Sequence, residues 1–226
     1  MKTAKSLITA FLFLASSGLS LQAYDYEGKS SFVFAVLKYG GGGDWYTGLT
    51  GVRNLLLFAQ KNTDIKVALR EKVVSILDDD LFQYPFLFIN GHGNILFNDK
   101  ETERLRIYLR NGGFLFVNDS YGLDPAFRRE MKKVFPDKEL VEVPFDHPLY
   151  HCYYEFPDGV PKVHKHDDKP PKGYGLFIDN RMVAYYNVEA DIADGWEEEW
   201  VHHDPLEVRT KALQMGVNII LYAMTQ

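Results

Sequence analysis

Two short apolar runs, separated by one charged amphipathic stretch, constrain the fold of this chain more than any other feature. The runs cover residues 86–89 and 114–117, and neither alternates apolar with polar residues. Such runs are typical of strands buried on both faces of a parallel sheet. The stretch between them predicts a helix, in which Asn98 and Glu101 form a capping box and Gly112 marks the end. This strand, helix, strand unit predicts an α/β fold.

Small and polar residues follow each apolar run directly. The first run is followed by Asn90, Gly91, His92 and Gly93, and the second by Asn118, Asp119 and Ser120. Open α/β sheets bind their ligands at the carboxyl ends of the strands. We therefore expect a ligand site at this edge of the sheet.

The rest of the sequence also alternates between predicted strands and predicted helices, as an α/β fold requires. Strands or extended segments are predicted at residues 31–39, 65–76, 139–143, 174–179 and 182–187, the last two as a hairpin. Helices are predicted at residues 49–61, with Thr47 or Thr50 as cap, from Asp124 to Pro136, and from Pro205 onward, with a helical turn near residues 78–82.

The first 23 residues have the pattern of a secretory signal peptide. Lys2 and Lys5 precede an apolar run over residues 7–14, and small residues lie near Ala23. The run is shorter than the ~20 residues of a membrane span. We expect an exported protein, periplasmic or secreted, with one α/β domain over residues 24–226 and no membrane span after signal removal.

Charge and cysteine content narrow the classes of partner. The formal net charge is −6 and no Lys/Arg cluster is present, which argues against nucleic acid as a partner, because phosphate binding requires a basic surface. Cys152 is the only cysteine, so no internal disulfide forms, and its aromatic neighbours predict a small buried side chain.

Aromatic residues make up 15% of the chain, and many fall in segments without periodicity. There we expect them to line a cleft or an interface. They are Tyr39, Trp45, Tyr46, Tyr150, Tyr153, Tyr154, Trp196 and Trp200.

A glycine run follows the first predicted strand and precedes an exposed polar and aromatic group. The glycines include Gly41, Gly42 and Gly43, and the group is Asp44, Trp45 and Tyr46. Bare backbone lets a ligand approach closely, and a polar residue beside aromatic residues is typical of carbohydrate or peptide clefts. The alternative is a tight strand-to-helix turn. No phosphate-loop pattern is present.

His92 and Asp119 are the candidate catalytic residues, since each follows a predicted strand. With His147 they would supply two imidazoles and a carboxylate, the ligand set of many hydrolytic divalent-metal sites. The alternative is structural, with the His92 ring bonded to backbone groups and Asp119 capping the next helix. A triad of Ser120, His92 and Asp119 or Asp146 lacks the GxSxG elbow.

Two long segments have the composition of functional loops. Residues 144–172 carry four of the seven histidines, including the sequence HKHDD at residues 164–168. Its alternating histidines could chelate a metal weakly, but the neighbouring lysines favour a solvated loop. Residues 189–203 are acidic and contain tryptophan, and they predict a second functional loop.

Four motifs together resemble one family. They are KYGGGGDWYTG, YPFLFINGHGN, NGGFLFVNDS and DHPLYHCYYEF, and they are similar to the bacterial domain-of-unknown-function family numbered 4159. The resemblance implies a flavodoxin-like three-layer sandwich with a mostly parallel central sheet, of the class I glutamine amidotransferase-like superfamily with ThuA-like relatives. It implies no established activity. The superfamily's Gly-x-Cys-x-Gly elbow is absent, because residues 117–121 contain no cysteine.

Three hypotheses for function follow. The first is an exported domain that binds a small-molecule or carbohydrate ligand, or an envelope protein, at the carboxyl edge of its sheet, with no cofactor required. The second is a hydrolase acting on a sugar or ester-like substrate through His92 and Asp119, with or without a divalent metal. The third is a structural or complex-forming component of the cell envelope.

Overall fold

The computed structural model describes residues 31–226, so the predicted signal peptide lies outside the described residues. The strands are β1 (Ala35–Lys38), β2 (Lys72–Ser75), β3 (Phe86–His92), β4 (Phe114–Tyr121), β5 (Val141–Glu142), β6 (Lys172–Ile178) and β7 (Arg181–Val188). The helices are α1 (Leu49–Asn62), α2 (Asp99–Arg110), α3 (Asp124–Val134), α4 (Glu199–His202) and α5 (Leu206–Thr225). Short 3-10 turns cover Leu81–Gln83, Pro148–Tyr150 and Asp194–Trp196.

All seven strands form one sheet in the order β2-β1-β3-β4-β7-β6-β5. Strands β1 to β4 and β7 are parallel, whereas β6 runs antiparallel to β7, and β5 antiparallel to β6. The predicted α/β fold with a mostly parallel sheet is confirmed, and it is compatible with a flavodoxin-like sandwich. The order reverses between β1 and β3, and such a reversal opens a crevice at the carboxyl ends of the two strands.

Helices cover both faces of the sheet, which explains the unbroken apolar runs. Phe88 and Phe116 stack at 5.2 Å between ring centroids on the face covered by α1 and α5. Leu87 and Leu115 point to the other face, toward α2 and α3. Each strand therefore buries both sets of side chains, as predicted.

Local signals in the sequence place several element ends correctly. Asn98 and Glu101 form the predicted capping box of α2, and the predicted β6–β7 hairpin turns at Asp179 and Asn180, both with positive φ. The predicted cap of α1 is wrong. Gly48, with φ 72°, occupies that position without a side-chain cap, because Thr47 Oγ1 donates to the Asp44 carbonyl and Thr50 Oγ1 donates to Glu197.

Two predictions about individual side chains are also wrong. Trp196 and Tyr150 are fully buried in the core instead of lining a cleft, since each lies in a 3-10 turn that packs against α5. Cys152 is exposed instead of buried, because it follows the turn Pro148–Tyr150 at the surface, where its thiol donates to the Asn218 carbonyl at 3.3 Å. Within residues 31–226 no helix has both the length and the apolar character needed to cross a bilayer.

Candidate functional site

The carboxylate of Asp44 binds His92 at the crevice between β1 and β3. Asp44 Oδ1 accepts the His92 backbone N–H at 2.5 Å, and Oδ2 lies 3.0 Å from Nδ1 of the same residue. About half of the His92 side chain is exposed. The pair orients the imidazole and leaves Nε2 as the ring atom available to a ligand or to water.

Close approach of two backbones makes this pairing possible. A Cβ on Gly91, which has φ 135°, would lie 2.6 Å from both Asp44 Oδ1 and the Tyr39 hydroxyl. The Tyr39 hydroxyl itself donates to the Asn90 carbonyl at 3.0 Å. Only glycine leaves room for both contacts while adopting this conformation.

The glycine run is built as a tight turn against the segment after β3. Gly43 N–H donates to the Asn94 carbonyl at 3.0 Å, and a Cβ on Gly41 would lie 2.7 Å from the Leu96 backbone nitrogen. By contrast, Gly42 and Gly93 have no atom within 4 Å of such a Cβ. These contacts match the alternative in which Gly41 and Gly43 form a tight turn after β1. The turn places Asp44 next to His92.

Trp45 and Tyr46 form the rim beside Asp44. Their rings meet edge to face at 5.7 Å, and the ammonium group of Lys38 lies 5.6 Å from the Trp45 ring. Tyr46 is 61% exposed, so it presents a ring face to solvent.

Three asparagines lie side by side across β3, β4 and β7. Asn90 pairs with Asn118, and Asn118 with Asn187, in the strand register. Asn90 Oδ1 accepts from Asn118 Nδ2 at 2.8 Å and from Ser120 Oγ at 3.0 Å. The Asn187 amide is fully buried and has no hydrogen-bond partner among the described residues. Ser120 is therefore a buried donor in this row and is not exposed as a nucleophile.

Asp119 lies beneath the start of α3. Its carboxylate accepts the backbone N–H of Leu123 at 2.8 Å and of Asp124 at 3.2 Å, and the Tyr186 hydroxyl lies 3.3 Å away. Burial raises the pKa of Asp119. These contacts match the helix-capping alternative, and none of them involves His92.

His147 lies at the opposite edge of the sheet from His92. Its ring is 5.3 Å from that of Tyr222, which in turn packs at 6.3 Å on Phe114, the first residue of β4. Burial lowers the pKa of His147, and its Nδ1 accepts the Leu149 backbone N–H. The structure thus does not bring His92, Asp119 and His147 together as a metal site.

A different cluster of histidines and aspartates does converge. His164 Nδ1 lies 3.0 Å from Asp191 Oδ2 and 3.3 Å from Asp194 Oδ2, and His164 Nε2 lies 3.1 Å from Asp204 Oδ2. His166 Nε2 lies 2.9 Å from Asp191 Oδ2. Hydrogen bonds to Asp191 and Asp194 raise the pKa of His164 to about 10.

Sequence reasoning placed His164 and His166 in a solvated loop and missed this cluster. Both side chains are only about one quarter exposed. Their partners lie in residues 189–204, which we call the acidic segment, and are 25 to 40 residues away in sequence. The available signal was the alternating His-Lys-His pattern, together with an acid-rich segment later in the chain.

The acidic segment also contacts the end of β4 and the start of α1, where Thr50 donates to Glu197. The Ala193 N–H donates to Asn118 Oδ1 at 3.4 Å. Burial alone would raise the pKa of Asp194, but the hydrogen bond from His164 and the charges of His202, His164 and His92 lower it. The His164 cluster and the Asp44–His92 pair therefore both lie at the carboxyl ends of the parallel strands.

A cavity of about 550 Å³ opens beside the cluster, over the ends of β4 and β7. The Tyr121 ring packs against His166 in a tilted arrangement at 4.8 Å between centroids, and its hydroxyl donates to Asp167 at 3.1 Å. The Arg128 guanidinium lies 4.5 Å from the Tyr174 ring and donates to Asp124 at 2.7 Å. The lining also includes Asp119, Lys169, Lys172 and Glu189.

Comparison with known proteins gives one family match. The model of the family described as "Domain of unknown function (DUF4159)" matches residues 33–224. No curated protein matches the chain.

Proposed function

Because the chain belongs to the DUF4159 family, whose description names no activity, we propose its function from its own site: an exported domain that binds a small polar ligand, best a carbohydrate, in the cavity at the carboxyl edge of its sheet. Export is supported by the composition of residues 1–23. We further propose that the domain belongs to the class I glutamine amidotransferase-like superfamily, with ThuA-like relatives, in a form that lacks the cysteine nucleophile. The mostly parallel seven-stranded sheet is compatible with that fold.

The shape and position of the cavity carry this proposal. Its volume of about 550 Å³ lies within the ~300–1,000 Å³ of small-molecule sites. Tyr121, which is 50% exposed, supplies an aromatic surface, on which the C–H face of a sugar ring packs. Arg128 and Asp124 hold each other in place, so a donor and an acceptor are fixed for hydroxyl groups.

The charges around the cavity favour a ligand without large net charge. Four carboxylates (Asp119, Asp124, Asp167 and Glu189) lie among three cations (Arg128, Lys169 and Lys172). A phosphorylated ligand would meet more carboxylates than cations, whereas neutral hydroxyl groups bond to both. A neutral or amino sugar therefore fits this lining better than a sugar phosphate.

Saccharide binding by the purified protein tests this function. We expect neutral or amino sugars to raise the melting temperature, because a ligand that binds the native state stabilises it. Tyr121→Ala and Arg128→Gln should each weaken binding about 10-fold or more, in line with the ~1.4 kcal/mol of one good polar or stacking contact. Tyr46→Ala removes a second exposed tyrosine, 61% exposed against 50% for Tyr121, outside the cavity lining and should leave binding unchanged. No thermal shift with any saccharide would contradict carbohydrate binding and favour an envelope-protein interface.

The Asp44–His92 pair supports a second candidate, hydrolysis of a sugar or ester-like substrate. A carboxylate that orients an imidazole through Nδ1 leaves Nε2 to act as a general base toward water. Here the carboxylate bonded to the His92 ring belongs to Asp44 and not to Asp119. Chromogenic glycosides and esters test this candidate, and His92→Gln should lower any turnover by about 10²-fold or more.

A further inference from the structure

Beyond ligand binding, we propose that His164, His166 and Asp191 bind a divalent transition-metal ion, for which Zn²⁺ is the best match. Two imidazoles and one carboxylate form the protein ligand set of many zinc sites that keep an open position. This inference does not depend on the proposed carbohydrate binding, since it is argued from the contacts of His164 and His166 with Asp191.

The spacing of the donor atoms fits a metal ion. His164 Nδ1 and His166 Nε2 lie 3.0 Å and 2.9 Å from Asp191 Oδ2, and all three donor atoms lie within 4.8 Å of one another. Ligands held at ~2.0 Å in a tetrahedron are ~3.3 Å apart. The three side chains therefore need only small movements to share one ion in place of their hydrogen bonds.

Asp204 supplies the outer contact that metal-binding histidines usually have. With Nδ1 of His164 directed at Asp191, the opposite ring nitrogen Nε2 lies 3.1 Å from Asp204 Oδ2. A ligating histidine commonly donates its second N–H to a carboxylate, which fixes the ring and its tautomer. Asp204 is thus a positioning residue for His164.

Asp191 has an oxygen that its protein neighbours leave without a partner. The residue is 1% exposed, and its Oδ1 has no hydrogen bond among the described residues. Its backbone is held at φ 56°, a conformation that non-glycine residues adopt rarely. A buried carboxylate oxygen without a partner is costly, and a bound cation would compensate both oxygens.

The local charge balance also favours a cation. Asp191, Asp194 and Asp204 surround the single ring of His164. Asp194 also lies 3.6 Å from Nε2 of His202. His164, Asp194 and His202 form a second group of possible ligands, which shares His164 with the first group. The rival explanation is a metal-free network of hydrogen bonds between imidazoles and carboxylates that holds the acidic segment against the loop, so the test must separate ion binding from folding.

The decisive experiment is titration of Zn²⁺, and of Co²⁺ as a spectroscopic substitute, into chelator-treated protein that carries no polyhistidine tag. We expect one equivalent to bind, to raise the melting temperature and to give the visible absorption of low-coordinate Co²⁺. His166→Ala should weaken binding about 100-fold, and Asp204→Asn about 10- to 100-fold, as is typical when the outer contact is removed. His151→Ala, which removes a histidine paired with Glu155 elsewhere on the surface, should bind as the unaltered protein does.

Two results would overturn the site. One is the absence of stoichiometric binding by the unaltered protein, and the other is unchanged affinity in His166→Ala. Far-ultraviolet circular dichroism establishes that each variant is folded. If His166→Ala is not folded, His166→Gln keeps a polar side chain of similar reach and must show the same loss of affinity. Saccharide binding is measured separately, so its failure leaves this test intact.

Discussion

Asp44 and His92 are 48 residues apart in the sequence, and both carboxylate oxygens of Asp44 contact His92. One oxygen fixes the backbone of β3 where the strand ends, and the other fixes the imidazole ring. The strand order reverses between β1 and β3, and the pair also ties the glycine turn after β1 to the end of β3. The backbone position of His92 and the orientation of its ring therefore both depend on the Asp44 carboxylate.

Replacement of Asp44 should separate its backbone contact from its charge. Asp44→Ala should lower the free energy of unfolding by about 1–2 kcal/mol, because a hydrogen bond to a charged acceptor is lost at a partly exposed site. Asp44→Asn keeps an oxygen acceptor for the His92 N–H and should lose less than about 1 kcal/mol. Urea denaturation of both variants measures the difference. Equal losses would show that the backbone contact contributes nothing.

Two glycines near His92 provide a matched pair for the close approach at Gly91. Both have positive φ, but only a side chain on Gly91 would collide with Asp44 and Tyr39. Gly93→Ala should lose about 1 kcal/mol from backbone strain alone, and Gly91→Ala about 2 kcal/mol more from the displaced contacts. Thermal and urea denaturation compare the two variants. A smaller loss for Gly91→Ala than for Gly93→Ala would contradict the packing described here.

Asp119 should act on stability through the start of α3. Asp119→Ala removes the acceptor of two backbone N–H groups and should lower the free energy of unfolding by about 2 kcal/mol. Asp119→Asn keeps one acceptor oxygen and should lose roughly half as much. Asp137→Ala, at an exposed position after α3, is the control and should stay within about 0.5 kcal/mol. A catalytic role for Asp119 would instead appear as lost turnover in a variant of unchanged stability.

Glu130 should give the protein part of its acid sensitivity. Burial alone would raise the pKa of Glu130, but hydrogen bonds from Lys133, the Phe97 backbone and Arg129 lower it below its ordinary value of 4.5. The stabilisation is therefore present above pH 4.5 and is lost as the pH falls through the lower folded pKa. Glu130→Gln should lower the free energy of unfolding by about 1.5–3 kcal/mol at pH 7, because hydrogen bonds to a charged acceptor are lost. Acidification below pH 4.5 should then destabilise this variant little further.

Urea denaturation between pH 7 and pH 3 measures this effect for Glu130→Gln. Glu103→Gln, which removes an exposed partner of Arg106 on α2, is the control and should lose less than about 1 kcal/mol. If Glu130→Gln retains the full acid sensitivity of the unaltered protein, the charge of Glu130 does not carry it.

Elements whose signals are local in sequence were predicted well. The unbroken apolar runs of β3 and β4, the capping box of α2 and the β6–β7 hairpin each depend on residues close together in the chain, so periodicity and turn chemistry identify them. The cap of α1 was not predictable in this way, because Thr50 is bonded to Glu197 on the acidic segment. Glu197, 147 positions away in the sequence, thus takes up the hydroxyl group that would otherwise cap the helix.

The sequence by itself determined the α/β class, the parallel strand unit and the edge of the sheet at which polar residues collect. It also placed His92 and Asp44 there, although it paired His92 with Asp119. Only the tertiary structure decided that Asp44 is the partner of His92, that Asp119 serves α3, and that His164 and His166 meet Asp191. The physical reason is that hydrophobic period and capping act within a few residues, whereas these contacts join loops whose approach depends on strand order and on the packing of the acidic segment over the sheet.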